Sequence, residues 1–186
     1  MKSSTRWFAA LLVPVAAASW GFTAQHADQH AAHHAEAHEK RVPSSLRVEH
    51  EHLQHGLARA LDAGGKTGAA ARGLERVLKP HFQKEEEFAL PPLTLLPKLA
   101  EGSVTPEMRD MLRLTEKLRA QYPQMLKEHK AIGAALKDLI VAAKSEGRAD
   151  VAKWASELQI HAQHEEEIAY PAALLVGQYL KLTLPK

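Results

Sequence analysis

Apolar residues recur every three or four positions along four long stretches of the chain. These stretches run from about 45 to 62, 67 to 90, 105 to 144 and 149 to 182. Such spacing lines apolar side chains along one face of a helix, and no stretch alternates with the period of two that a strand requires. Glycine or proline marks the junctions, as is usual at helix ends. The pattern predicts an all-α fold in which four helices pack as a bundle.

Four prolines affect where these helices bend or end. Pro80 and Pro123 fall inside the second and third stretches. Because proline removes a backbone hydrogen bond, we expect a bend at both, and Pro123 could divide the third stretch into two helices. Pro91 is expected to end the second helix, whereas Pro171 lies inside a pattern that continues to Leu182.

Polar side chains share the apolar face of each helix. The inward positions of the third helix are spaced by four and three residues: Met111, Thr115, Leu118, Tyr122, Met125, His129, Ile132, Leu136, Leu139 and Ala143. The same rule gives for the fourth helix Trp154, Leu158, His161, Glu165, Ile168, Ala172, Leu175, Tyr179 and Leu182. The second helix places His81 and Glu85 on this face, and the first helix places His50 there. Every helix therefore carries a histidine toward the core.

The chain also contains an internal repeat. HFQKEEEFALPPL at 81–93 returns as HAQHEEEIAYPAAL at 161–174, and EHEHLQHGL at 49–57 aligns with EHKAIGAAL at 128–136. The two shifts, 80 and 79 residues, are nearly equal. We therefore expect two similar helix hairpins in a pseudo-two-fold arrangement. Each hairpin offers one histidine from its first helix and a His-x-x-x-Glu pair from its second.

The repeat and helix geometry select among neighbouring polar residues. His50 matches His129, so His52 and His55 are expected at the surface. Residues four apart on a helix are neighbours, about 5–6 Å apart at Cβ, so the first glutamate of each triplet stands over a histidine. The pairs are His81 with Glu85 and His161 with Glu165. The remaining glutamates are expected to be surface charge: Glu86, Glu87, Glu166 and Glu167. His164 is kept as a candidate neighbour of the site.

Six side chains are candidate metal ligands: His50, His81, Glu85, His129, His161 and Glu165. An uncompensated buried carboxylate is costly, and a bound cation removes that cost. The chain has no cysteine, and nitrogen with oxygen ligands suits iron, manganese or zinc. Six ligands exceed the four of one tetrahedral zinc, whereas two iron ions bridged by the glutamates would use the histidines as terminal ligands. A hydrogen-bonded network without metal is the alternative.

The beginning of the chain has a different composition. Residues 1–24 combine Lys2 and Arg6 with an apolar stretch, the pattern of a signal peptide, and predict a periplasmic or secreted protein. An uncleaved membrane anchor is the alternative. Residues 25–42 hold five histidines and predict a flexible linker before a bundle at 43–186. Cleavage would leave 22 basic and 22 acidic residues, which argues against nucleic-acid binding, and no stable membrane insertion is expected afterwards.

The ordered set His, His-x-x-x-Glu, His, His-x-x-x-Glu over about 43–182 resembles the hemerythrin-like (HHE cation-binding) family. The resemblance implies an up-down four-helix bundle that holds a bridged non-haem di-iron centre with the six candidate residues as ligands. Oxygen carriers of that family supply two histidines, one turn apart, from the third helix. Here Met125 precedes His129 and Gly133 follows it, so one iron is left with water or another ligand.

Three functions are compatible with this pattern. The first is a protein that binds dioxygen, nitric oxide or a related small ligand at two iron ions, for storage, delivery or sensing. The second is a di-iron enzyme that reduces peroxide or nitric oxide; Tyr122 and Tyr170 are candidate acid or radical-bearing groups, although we expect both to pack in the core. The third is an extracytoplasmic metal buffer that collects metal with the histidines of residues 25–40.

Overall fold

The computed structural model describes residues 42–185, and within them the chain is helical with no strand. Helix α1 covers Ser44–Asp62, α2 Gly65–Lys84, α3 Leu96–Ala100, α4 Arg109–Ser145, α5 Ala149–His164 and α6 Tyr170–Thr183. Two π-helical turns, Glu85–Ala89 and Glu165–Ala169, follow α2 and α5, and 3₁₀ turns cover Pro91–Leu95 and Pro106–Met108. The predicted all-α bundle of four long helices is confirmed, with α5 and α6 continuous through their π-helical turn.

Neither internal proline ends its helix. Pro80 lies inside α2 and Pro123 inside α4. Helix α4 is one element of 37 residues, so the division at Pro123 that the sequence left open does not occur. Pro91 begins the 3₁₀ turn directly after the second helix ends, as predicted.

Two of the three apolar clusters among the described residues lie on either side of the histidines. The Leu74 cluster includes Leu53, Leu74, Ile132, Leu136 and Leu158, and the Phe88 cluster includes Val42, Phe88, Leu118, Met125 and Tyr170. Along α4, for example, the chain passes from Met125 to His129 to Ile132. Helix α4 packs against α2, α5 and α6, while α1 packs against α2 and α5. The polar level therefore lies between two layers of apolar side chains.

The π-helical turn at Glu165–Ala169 changes which residues of the fourth helix face the core. The predicted inward residues after Glu165 are mostly exposed: Ile168, Leu175, Tyr179 and Leu182 are 64%, 68%, 40% and 85% exposed. The buried residues are Tyr170, Ala173, Val176 and Leu180. A π-helical turn adds one residue to the helix, so every later side chain is displaced by one position. This part of the predicted face was therefore wrong by one residue.

Several predictions fall outside the described residues. The signal peptide at 1–24 and nearly all of the linker at 25–42 lie there; only Val42 is described, and it is buried. Among residues 42–185, no helix has the length and apolar character needed to cross a bilayer.

Gly56 allows α1 and α5 to approach closely. The indole ring of the buried Trp154 lies so near that a Cβ atom placed on Gly56 would be 1.9 Å from its Nε1 atom. At Gly133 in α4, by contrast, a Cβ atom would meet nothing within 4 Å.

We expect Gly56→Ala to lower the free energy of unfolding by roughly 1–3 kcal/mol, since the added methyl group overpacks the site and displaces Trp154. Gly133→Ala is the matched control and should raise that free energy by up to about 1 kcal/mol, because alanine favours the helix and meets no neighbour. Urea unfolding of both metal-free variants measures the difference. Equal stability of the two variants would contradict the packing described at Gly56.

Candidate metal centre

The structure brings all six predicted site residues together at one level of the bundle. All six are buried, and the most exposed, His129, retains only 5% of its accessible surface. Helix α1 carries His50, α2 His81, α4 His129 and α5 His161, while Glu85 and Glu165 are the first residues of the two π-helical turns. In each His-x-x-x-Glu pair, the histidine therefore lies in the last turn of an α-helix and the glutamate begins the π-helical turn that follows. Such π-helical turns are frequent at functional sites.

Two of the histidines and one oxygen of each glutamate frame a first position. Glu85 Oε1 lies 3.0 Å from His81 Nε2 and 3.7 Å from His129 Nε2. Glu165 Oε2 lies 3.5 Å from His129 Nε2. These four residues offer ligand atoms that all lie within 4.8 Å of one another.

The other two histidines frame a second position with the remaining oxygens. Glu165 Oε1 lies 3.2 Å from His161 Nε2 and 3.5 Å from His50 Nε2. Glu85 Oε2 lies 3.7 Å from His50 Nε2. Each carboxylate therefore turns one oxygen to each pair of histidines, which is the arrangement of a bridging ligand.

Four atoms of the second position approach one another at 3.2–3.7 Å but form no hydrogen bond of suitable geometry among the described residues. They are His50 Nε2, His161 Nε2, Glu85 Oε2 and Glu165 Oε1, and all are buried. Leaving buried polar atoms unpaired is costly, and such groups are rare in folded proteins unless an ion or water satisfies them. Nitrogen and oxygen atoms that converge without a partner fit a bound cation.

The sequence model of the hemerythrin HHE cation-binding domain matches residues 41–173. The chain belongs to this family. The resemblance seen in the repeated histidines and glutamates is confirmed, and a buried cluster suited to metal agrees with a cation-binding domain. Comparison with curated proteins and with solved structures gave no match.

A second set of carboxylates surrounds the histidines of this HHE domain. The Nδ1 atoms of His50, His81, His129 and His161 face Glu86, Glu128, Glu166 and Glu49 at 3.3, 2.9, 3.0 and 3.1 Å. With Nδ1–H donating to a carboxylate, Nε2 is left free to face the metal positions. Such partners fix the ring orientation and make the imidazole a stronger ligand.

The apolar pattern of the helices did not predict these outer partners. Glu86 and Glu166 were expected to be surface charge; their side chains are 45% and 40% exposed, but each also reaches a histidine on a neighbouring helix, which was not predicted. No role was predicted for Glu49 and Glu128. Each directly precedes a site histidine, Glu49 in the first half of the repeat and Glu128 in the second. The recurrence of this Glu-His pair could have indicated a role for the glutamates. The periodicity of one helix, however, does not show which residues contact a neighbouring helix.

The other neighbouring polar residues lie at the surface. Glu87 pairs with Lys117 at 2.6 Å and Glu167 accepts a hydrogen bond from Gln163 at 2.7 Å, so both are surface charge as predicted. The exposed side chains also include His52, His55 and His164. His164, kept as a candidate neighbour of the site, is not brought to it.

Tyr170 reaches the first position with its hydroxyl group. This hydroxyl donates to Glu85 Oε1 and lies 3.2 Å from His129 Nε2 and 3.4 Å from His81 Nε2. Its ring stacks on that of His129 with centroids 5.5 Å apart. Burial, together with the charges of Glu85 and Glu165, raises the pKa of Tyr170 far above its ordinary value, so the metal-free cluster keeps the proton on the phenol. From the sequence, Tyr170 was a candidate acid or radical-bearing group that we expected to pack in the core; it is buried and also contacts the site.

Without a cation, the histidines balance the charge of the glutamates. Burial, the largest single influence, works to lower the pKa of His50 and His129, but the surrounding carboxylates outweigh it. Glu165 and Glu86 act on His50, while Glu165 and Glu85 act on His129, and the pKa of each histidine rises to about 10. These two imidazoles are therefore protonated at neutral pH in the metal-free domain, and metal binding must displace those protons.

We expect Glu166→Ala to weaken metal binding by about 10- to 100-fold, because His129 loses the carboxylate that orients it. Glu167→Ala is the matched control from the same triplet and should leave the affinity unchanged, since that exposed side chain accepts a hydrogen bond from Gln163 and reaches no site histidine among residues 42–185. Competition against a chelator measures both affinities. Equal losses in the two variants would mean that Glu166 has no part in holding the ligand.

The metal-free domain should also lose stability as the pH rises. A pKa that is raised on folding stabilises the folded state fully below the unfolded value of 6.5, and this contribution is lost as the pH approaches the folded value of about 10. Urea unfolding of chelator-treated protein between these limits measures the decline. The metal-loaded protein is the control and should decline less, because its imidazoles bind as neutral ligands.

Proposed function

We propose that this HHE domain binds two iron ions bridged by Glu85 and Glu165 and takes a small ligand such as dioxygen or nitric oxide there. The observation that carries the proposal is the division of the carboxylate oxygens: each glutamate faces both pairs of histidines. One metal ion would use only one of the two positions. The second position would then keep its unpartnered buried atoms, which is unfavourable.

The donor set is compatible with iron. The first position groups His81, His129, Glu85 and Glu165, and the second groups His50, His161 and Glu165, with Glu85 Oε2 at 3.7 Å from His50 Nε2. The chain has no sulfur ligand from cysteine. Four donors complete a tetrahedral zinc site, whereas iron takes more ligands and keeps open places for a small molecule. The apolar clusters on both sides of the site suit an uncharged diatomic ligand, because they exclude water. Storage, delivery or sensing of such a ligand would require only reversible binding.

A di-iron enzyme that reduces peroxide or nitric oxide is the second candidate. The buried hydroxyl of Tyr170, in contact with Glu85 and two site histidines, favours it because that group could supply a proton or an electron beside the metal. Metal buffering by the histidine-rich tail, and export directed by residues 1–24, rest on segments outside residues 42–185 and stay predictions.

Metal analysis of untagged protein should give about two iron ions per chain. Azide added to the oxidised protein, or nitric oxide to the reduced protein, should change the visible absorption, because both ligands would bind at the iron. A single zinc ion, or no metal, would contradict the di-iron proposal. Rapid turnover of peroxide or nitric oxide would favour the enzyme over the binding protein.

The Glu85→Ala variant should hold fewer than two iron ions, since both positions lose a carboxylate oxygen and the bridge between them. Glu87→Ala, which removes an exposed carboxylate two residues later, is the matched control and should keep the full metal content. Iron analysis after gel filtration measures the metal content of both variants. If Glu85→Ala retained two iron ions, the bridging role of this carboxylate would be rejected.

A further inference from the structure

The two metal positions differ at one residue of the repeat. Tyr170 lies nine residues after His161, and the residue nine after His81 is Leu90. Both side chains are fully buried. Leucine offers no ligand atom, so the hydroxyl at the first position has no counterpart at the second.

The π-helical turn brings Tyr170 to this place. The inserted residue places Tyr170, five residues after Glu165, one turn beyond that glutamate, where a regular α-helix would place Ala169. Tyr170 is buried there, and Ile168, which the apolar pattern had placed on the inward face, is exposed. The equivalent turn after Glu85 is followed by Leu90 and the 3₁₀ turn that begins at Pro91. Both halves of the site therefore contain a π-helical turn, but only the turn after Glu165 places a hydroxyl group at a metal position.

The hydroxyl oxygen has the spacing of a ligand atom. Around a metal with bonds of about 2.0–2.2 Å, neighbouring ligand atoms lie about 3 Å apart. The oxygen of Tyr170 is 3.2 Å from His129 Nε2 and 3.4 Å from His81 Nε2, and it also contacts Glu85 Oε1. It therefore lies beside the nitrogen ligands as a further corner of the same coordination shell.

We propose that Tyr170 is an additional metal ligand, with its phenolate oxygen bound to the ion at the first position. Binding breaks the O–H bond, forms an oxygen–metal bond and releases the proton to solvent. The two ions then have different protein ligands: His81, His129 and Tyr170 hold the first, and His50 with His161 holds the second. This inference rests on the di-iron site proposed above.

The local charge is compatible with this change. Bound cations reverse the sign of the local charge and favour the deprotonated form of a coordinating group. The neighbours of His129 one turn away, Met125 and Gly133, offer no imidazole or carboxylate. Tyr170 is therefore the side chain placed to complete this position.

Optical and resonance Raman spectroscopy of the iron-loaded, oxidised protein test the proposal. A phenolate bound to ferric iron gives a charge-transfer band in the visible region and enhanced phenolate vibrations, which shift when the tyrosine rings are deuterated. We expect Tyr170→Phe to lose the band and these vibrations while it retains most of its iron through the six other ligands. Tyr122→Phe is the matched control: its ring packs 6.3 Å from that of Tyr170, and its loss should leave the band intact.

The outcomes separate this inference from the di-iron proposal. Two iron ions without a phenolate band in the native protein, or a band that persists in Tyr170→Phe, would overturn the role of Tyr170 and leave the di-iron site standing. One metal ion in the native protein and two in Tyr170→Phe would mean that the hydroxyl excludes metal from the first position. No bound iron would reject both proposals. If Tyr170→Phe failed to fold, the deuterium shift in the native protein and in Tyr122→Phe would decide.

Discussion

The burial of two carboxylates in the centre of the bundle is the constraint on which the rest of the structure depends. Glu85 and Glu165 lie between two apolar clusters, where a negative charge without compensation is strongly unfavourable. Four imidazoles surround them, and each imidazole is held in turn by an outer carboxylate. The folded arrangement of these carboxylates and imidazoles therefore favours the binding of cations. A metal ion satisfies at once the inner carboxylates and the inward nitrogen atoms.

The outer carboxylates tie the two hairpins together through the site. Glu49 on the first hairpin faces His161 on the second, and Glu128 on the second faces His81 on the first. Each of the two other pairs lies within its own hairpin: His50 with Glu86 in the first, and His129 with Glu166 in the second. Since each hairpin orients a ligand of the other, the complete set of ligands is oriented only when both hairpins have docked.

The π-helical turns couple the site to the packing around it. Both begin at a site glutamate, and in each the backbone N–H of the sixth residue donates to the carbonyl of that glutamate. The added residue turns the following side chains by one position, which moves Tyr170 to the metal site and Ile168 to the surface. Tyr170 and Leu90 occupy equivalent places in the repeat, but only Tyr170 has a hydroxyl group. The first and second positions are therefore built from the same motif but have different neighbouring side chains.

The sequence by itself determined the helices, their inward faces up to Glu165 and the six candidate ligands, because helical periodicity is local and each His-x-x-x-Glu pair lies within one turn. Three features were decided only by the tertiary structure. The partners of the histidine Nδ1 atoms depend on contacts between helices, which the periodicity of a single helix does not contain. The place of Tyr170 and the inward face after Glu165 depend on one extra residue in a π-helical turn, and a regular period of 3.6 residues cannot register that insertion.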